Sequence, residues 1–207
     1  MMQIVGLLYD LFMLYFEKRH GRHLRRILCH NVSGKILDVG SGTGANLRFI
    51  KESTRSMIDK TELTLVDPNK NFNMRAKQKA QKLGLNVNIE AVPFEDFDTD
   101  DRYDYVLSSL TMCSCKDLQL YTQNAMKLLK PGGEFRFMEH TYSENRYLRK
   151  GQQIIDKIIV HVFREHPHLT RPIIETIQSF DWNCELVSSR TIVFPICRVV
   201  LGVCKQK

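Results

Sequence analysis

Three glycines at alternate positions (Gly40, Gly42 and Gly44), an acid two residues ahead of them (Asp38) and a second acid downstream (Asp67) could act together as a ligand site. Glycines at that spacing let a backbone pass close to a ligand that side chains would otherwise block. The run Lys35-Ile36-Leu37-Asp38-Val39 reads as a strand entering the loop, and Ala45 to Glu52 as a helix leaving it. The N-terminus of such a helix presents free amide hydrogens and a partial positive charge. A dinucleotide site directs those features at a pyrophosphate, with the spacing Gly-x-Gly-x-x-Gly. Here the third glycine comes one residue early, and Asp38 would repel a phosphate. An acid in that place suits a ligand with an ammonium group and no phosphate. Asp67 follows the loop at roughly the 20-residue offset where a carboxylate takes ribose hydroxyls. The competing reading of Asp67 is a turn-forming residue before Pro68.

These residues need elements to hold them. Glu62 to Val66 is a second β-rich run, closed by Asp67-Pro68-Asn69. Asn71 to Leu83, rich in Lys, Gln and Ala, predicts a helix with Gly84 as its C-terminal cap. Asn86 to Ala91 and Tyr103 to Ser108 give a third and a fourth strand. Asp117 to Leu129 gives a helix stopped by Pro131-Gly132-Gly133, and Glu134 to Met138 a fifth strand. Helices over Arg146 to Arg164 and Arg171 to Phe180 follow, then strands over Glu185 to Ile192 and Ile196 to Cys204. The alternation implies an α/β fold with a mostly parallel sheet covered on both faces. Only a few residues around Phe194-Pro195 separate the last two strands, too few for a helix, so they should pair antiparallel. Ligands of open sheets bind beyond the C-terminal strand ends, and His140 just past the fifth strand faces that side. It could orient or deprotonate a substrate there, or simply bond neighbouring backbone.

The 207 residues, 43% hydrophobic and 26% charged, suit one domain with a single core and argue against disorder. A net charge of +7 permits contact with nucleic acid or an anionic membrane surface. Part of it lies in Lys18, Arg19, Arg22, Arg25 and Arg26, which read as a solvated helix face or, alternatively, a phosphate or headgroup site. Cys29, Cys113, Cys115, Cys184, Cys197 and Cys204 lack disulfide-scaffold spacing, so reduced intracellular thiols are expected. No Cys-x-x-Cys pair occurs, and Pro167 separates His166 from His168, so no metal is expected. Ile4 to Phe16 is apolar but holds Asp10, and it falls short of the roughly 20 residues a spanning helix needs. Nor does it read as a signal peptide. Residues 1–30 therefore form a helical segment packing on a domain over 31–207, or one lying in a membrane interface. The apolar stripe Ile154, Ile155, Ile158, Ile159 and Val162 reads as core or pocket wall.

The run from Ile36 through the glycine loop to Asn46 resembles the first motif of class I S-adenosylmethionine-dependent methyltransferases. Leu65-Val66-Asp67-Pro68-Asn69 resembles their second, and Leu128-Leu129-Lys130-Pro131-Gly132-Gly133 the turn before their fifth strand. A narrower resemblance runs from about Gly34 to the C-terminus. Leu110-Thr111-Met112-Cys113-Ser114, Phe137-Met138-Glu139-His140, Gln152-Gln153 with Asp156, and Leu169-Thr170-Arg171 are similar to the methyltransferase-like thiol S-methyltransferases of the endoplasmic reticulum and lipid droplets. Their relatives include enzymes of the ubiquinone/menaquinone methyltransferase type.

The resemblance implies a Rossmann-like fold with a seven-stranded, mostly parallel sheet and an antiparallel last strand. It implies S-adenosylmethionine as cofactor, its amino-acid end at Asp38, Gly40, Ser41, Gly42 and Gly44 and its ribose at Asp67 and Pro68. Glu95 would be the adenine-side contact, the plain alternative being an exposed loop acid. Leu110 and Thr111 would border the place where methyl group and acceptor meet. The implied activity is methylation of a small molecule, a thiol, with a quinone or lipid as the alternative. An RNA methyltransferase fits less well, because Ser108-Ser109-Leu110-Thr111 stands where an Asn/Asp-Pro-Pro-Tyr/Phe motif would be needed. The expected location is cytoplasmic, with peripheral contact to an intracellular membrane through the N-terminal helix as the variant reading.

Overall fold

The computed structural model describes residues 15–56, 60–163, 168–192 and 197–206. The run from Ile4 to Leu14, together with His166, Pro167, Phe194 and Pro195, lies outside the described residues, as do the side chains of Ile158, Ile159, His161 and Val162. A π-helical turn, Glu17–Gly21, leads into α1 (Arg22–Leu28). There follow β1 (Lys35–Val39), α2 (Leu47–Ser53), β2 (Glu62–Val66), α3 (Lys70–Leu83), β3 (Asn88–Glu90) and a 3-10 turn at Phe94–Asp96. Then come β4 (Tyr103–Ser109), α4 (Leu118–Lys127), β5 (Leu129–Thr141), α5 (Arg146–Phe163), α6 (Ile173–Gln178), β6 (Trp182–Ile192) and β7 (Cys197–Gln206). Local chemistry sets several boundaries. The Asn69 side chain accepts from the amides of Asn71 and Phe72 to start α3, and Gly84 at φ +65 ends it. Asp117 starts α4 in the same way.

The seven strands form one sheet in the order β3-β2-β1-β4-β5-β7-β6. Pairs among β1 to β5 are parallel, while β7 runs antiparallel to both β5 and β6. This is the Rossmann-like methyltransferase fold, and the sequence reading of an antiparallel closing pair agrees with it.

Strand alternation sorts the side chains onto two layers. On one face Ile36, Leu65, Leu107 and Met138 pack with Leu24 and Leu28 of α1, Leu47 and Ile50 of α2, and Ala76 and Ala80 of α3. On the other, Leu37, Val39, Val106, Phe135 and Phe137 pack with Tyr121 and Ala125 of α4 and Ile173 and Ile177 of α6. Alternation therefore puts Asp38, Ser109 and His140 on the α1 side, and Ser108 and Glu139 on the α4 side.

Three sequence expectations need correction. Arg25 does not belong to a solvated face: it is 4% exposed, whereas Lys18, Arg19, Arg22 and Arg26 are exposed. Ile154 is 62% exposed and walls nothing, because α5 turns that edge of its stripe outward. The cysteines are not all reduced. Cys184 and Cys204 sit opposite each other in the β6–β7 register and form a disulfide, while Cys29, Cys113 and Cys115 are free and buried. Among the described residues no helix is long and apolar enough to cross a membrane.

Candidate functional site

The strand order reverses between β1 and β4, and open sheets of this kind bind ligands in the crevice at that point. The glycine loop leaves β1 there. Its backbone is tied to the neighbouring strand, the amides of Gly40 and Ser41 both donating to the Val66 carbonyl. Gly40 is forced by contact: a Cβ on it would lie 2.1 Å from Oγ1 of Thr111, which arrives from the end of β4. Gly42, at φ +53, differs. A Cβ there would meet nothing closer than a backbone oxygen at 4.0 Å, so it would point into open space over the loop.

Asp38 lies beneath this loop with no exposure to solvent. Its Oδ1 accepts from Asn46 Nδ2 at 2.8 Å, and its Oδ2 is buried without a partner. Burial lifts its carboxyl to about 6, against the Asn46 hydrogen bond and the Arg25 charge that lower it, while Asp67 pushes it up. The Ser41 hydroxyl is likewise buried and unpartnered. Buried polar atoms are rarely left without partners. Two of them around an open glycine loop fit the amino-acid end of S-adenosylmethionine, whose ammonium group would supply donors for Asp38.

Asp67, 8% exposed, closes β2. Its Oδ2 accepts from the Gly42 amide at 2.9 Å and its Oδ1 from the Asn69 amide at 2.8 Å. The carboxylate thus holds the loop, with lone pairs left for a ligand. Pro68 is exposed beside it.

At the end of β4 the chain adopts an uncommon conformation: Leu110 has φ +58. The strain is held from β5. Glu139 Oε1 accepts from the amides of Thr111 at 2.8 Å and Met112 at 3.0 Å and from the Ser108 hydroxyl at 3.0 Å. Ser108 is in turn bonded to Tyr121. Burial raises the Glu139 carboxyl, opposed by those amides, that of Cys113 and the Ser108 hydroxyl. Leu110 and Thr111 are therefore set by a buried carboxylate that stood inside a motif in the sequence, although nothing there revealed its partners. Glu95, in the 3-10 turn after β3, accepts from the Lys116 amide at 2.7 Å and so ties that turn to the segment beyond β4. His140 is 6% exposed near the end of β5, its Nδ1 unpartnered and its ring 6.3 Å from that of Phe16. Burial alone lowers its pKa to about 4.

The remaining motif residues are clamps around this region. Gln152 of α5 accepts from the Ser143 amide and donates to the Thr141 carbonyl. Asp156 accepts from the Leu169 amide and the Thr170 hydroxyl, both at 2.7 Å. Arg171 donates to the Met112 carbonyl and to Cys115 Sγ. No group of three or more potential metal ligands occurs among the described residues.

A model of the methyltransferase domain family matches residues 36–133. The human thiol S-methyltransferase TMT1A is 32% identical over 152 residues, covering 67% of this chain and 57% of its own length. The ubiquinone/menaquinone biosynthesis C-methyltransferase UbiE of Rickettsia massiliae is 29% identical over 126 residues, covering 58% and 49%. The chain thus spans about half the length of these relatives. The N-methyltransferase NodS of Bradyrhizobium japonicum, solved with S-adenosyl-L-homocysteine, superposes with a TM-score of 0.64 at 16% identity, covering 92% of this chain and 87% of its own. Sheet order, glycine loop and these likenesses converge: the chain belongs to the class I S-adenosylmethionine-dependent methyltransferases.

Proposed function

We propose that the protein transfers a methyl group from S-adenosylmethionine to a small-molecule thiol. The cofactor supplies a methyl group already activated by its sulfonium. What the protein must add is alignment and exclusion of water. In this reading Asp38 binds the ammonium group, Ser41 and the loop glycines allow close approach, Asp67 with Pro68 takes the ribose, and Glu95 lies on the adenine side. Leu110 and Thr111 border the methyl group.

The observation that carries the acceptor is His140, a buried, neutral imidazole with an unpartnered Nδ1 beside an aromatic ring. An alkyl thiol with a pKa near about 8.5 already supplies some thiolate at neutral pH, so it needs orientation more than a strong base. A pKa held near 4 favours orienting over deprotonating. His140 accepts the S–H hydrogen bond of the incoming thiol and so directs the sulfur, the proton passing to solvent before the thiolate takes the methyl group. The likeness to a thiol S-methyltransferase supports this choice, and the likeness to UbiE supplies quinols as the competing acceptor. Residues 1–30 act with the domain over 31–207 as one unit. The exposed Lys18, Arg19, Arg22 and Arg26 would supply the charge for peripheral contact with an anionic membrane surface.

A methyl-transfer assay over alkyl thiols, quinols, phospholipids and RNA tests the reading. Thioether formation should dominate and fall about tenfold or more in His140→Ala. Methylation of RNA alone would contradict it, and a quinol product would move the assignment to carbon.

A further inference from the structure

Arg25 connects the N-terminal segment to the candidate cofactor site through a buried chain of polar groups. Gly21 stands midway between Glu17 and Arg25. A Cβ on Gly21 would lie 2.5 Å from a Glu17 carboxylate oxygen, so the absent side chain is the space through which Glu17 runs along the helix. Arg25 Nε meets both Glu17 oxygens at 3.1 Å. At its other end Nη1 donates to Asn46 Oδ1 at 2.7 Å and to Ser109 Oγ at 2.8 Å. Asn46 Nδ2 then donates to Asp38 Oδ1 at 2.8 Å and to Ser109 Oγ at 3.1 Å. Asn46 occupies the N-cap position of α2, yet its side chain caps nothing. It is turned inward instead, 1% exposed. Charged side chains are seldom this buried unless paired, and here the pairing ends on Asp38, a carboxylate whose second oxygen is buried without a partner.

We propose that Arg25 is a positioning residue for the cofactor site: it fixes Asn46 and Ser109 so that Asp38 presents Oδ2 to the ammonium group. This rests on the reading of Asp38 given above. The N-terminal helix then completes a site whose other parts lie in β1, α2 and β4. A planar guanidinium reaches Glu17, Asn46 and Ser109 together, which a lysine ammonium does not. Its charge acts as well. The groups facing Asp38 are Arg25 of α1 and Lys79 of α3, which favour the carboxylate, and Asp67 at the end of β2, which opposes it. Cys29 at the end of α1 is close enough for Asp38 to raise its thiol, and Glu17 lies behind Arg25. Without Arg25, Asp38 should take up a proton at higher pH.

Calorimetric titration of S-adenosylhomocysteine between pH 5 and 9, with thermal melts of each protein, tests the proposal. Wild-type affinity should fall as the pH drops through about 6. Arg25→Gln should weaken binding about tenfold or more at pH 7.5 and move that break up by about one unit. Arg25→Lys should restore the break but not the affinity. Leu24→Ala, which trims the same helix away from the polar chain, should melt lower and keep the break. A folded Arg25→Gln with wild-type affinity and break overturns the proposal, as does Arg25→Lys with wild-type affinity. Should Asp38→Asn bind like the wild type, the reading of Asp38 fails instead.

Discussion

Asp38 and His140 are both buried and ionisable, and their burial drives stability in opposite directions with pH. The Asp38 carboxyl titrates near 6 when folded, above the roughly 3.9 of an unfolded chain. Its contribution is present below pH 4 and is lost as the pH rises through 6. The unliganded protein thus carries a destabilising charge at neutral pH, worth up to about 3 kcal/mol. Asp38→Asn should therefore melt higher than wild type at pH 7.5, with the advantage gone by pH 4. Equal melting temperatures at pH 7.5 would contradict this. His140 titrates near 4 when folded against roughly 6.5 unfolded, so its contribution is present above pH 6.5 and lost as the pH falls through 4. In urea titrations at pH 7 and 4.5, His140→Leu should lose less stability on acidification than wild type, by about 2–3 kcal/mol. At this scale the spacing anticipated that Asp38, Gly40, Gly42, Gly44 and Asp67 would gather around one loop. It misplaced Arg25, because a run of basic residues on a helix does not say which one turns inward.

Among elements, β5 does more than its short apolar run suggests. It continues through Glu139 and His140 to Thr141, and Glu139 holds the turn that carries Leu110 at φ +58. Glu139→Ala would leave the amides of Thr111 and Met112 unpaired in the interior, a loss of about 3 kcal/mol or more in chemical denaturation. The β6–β7 pair carries the other unforeseen feature. Cys184 and Cys204 lie 20 residues apart, and only the register across the hairpin brings them together. Spacing alone could not show it. Closing a loop of that length stabilises by about 3 kcal/mol, so reduction should lower the melting temperature, and peptide mapping should find these two cysteines linked. Strand boundaries were read well where turn residues close the run, as at Glu62 to Val66 before Asp67-Pro68-Asn69. They were read short where the chain passes Pro131-Gly132-Gly133, which sequence treats as a stop and the sheet accommodates.

Taken as a whole, the molecule has the mostly parallel sheet that alternating strands and helices predict, with the closing pair antiparallel because its connection is too short for a helix. Hydrophobic periodicity carries that information. The polar chain from Glu17 to Asp38 was not legible, since it joins residues far apart in sequence that meet only after the sheet and α1 have packed. The central claim is that the glycine loop holds S-adenosylmethionine by its amino-acid end. Titration of S-adenosylhomocysteine into the wild type and Gly42→Arg tests it most directly. A Cβ at Gly42 meets open space, so the variant should fold, at a cost of about 1–2 kcal/mol for its φ of +53. The account predicts one-to-one binding to the wild type and none to the folded variant. No binding to the wild type, or equal binding to both, would contradict it.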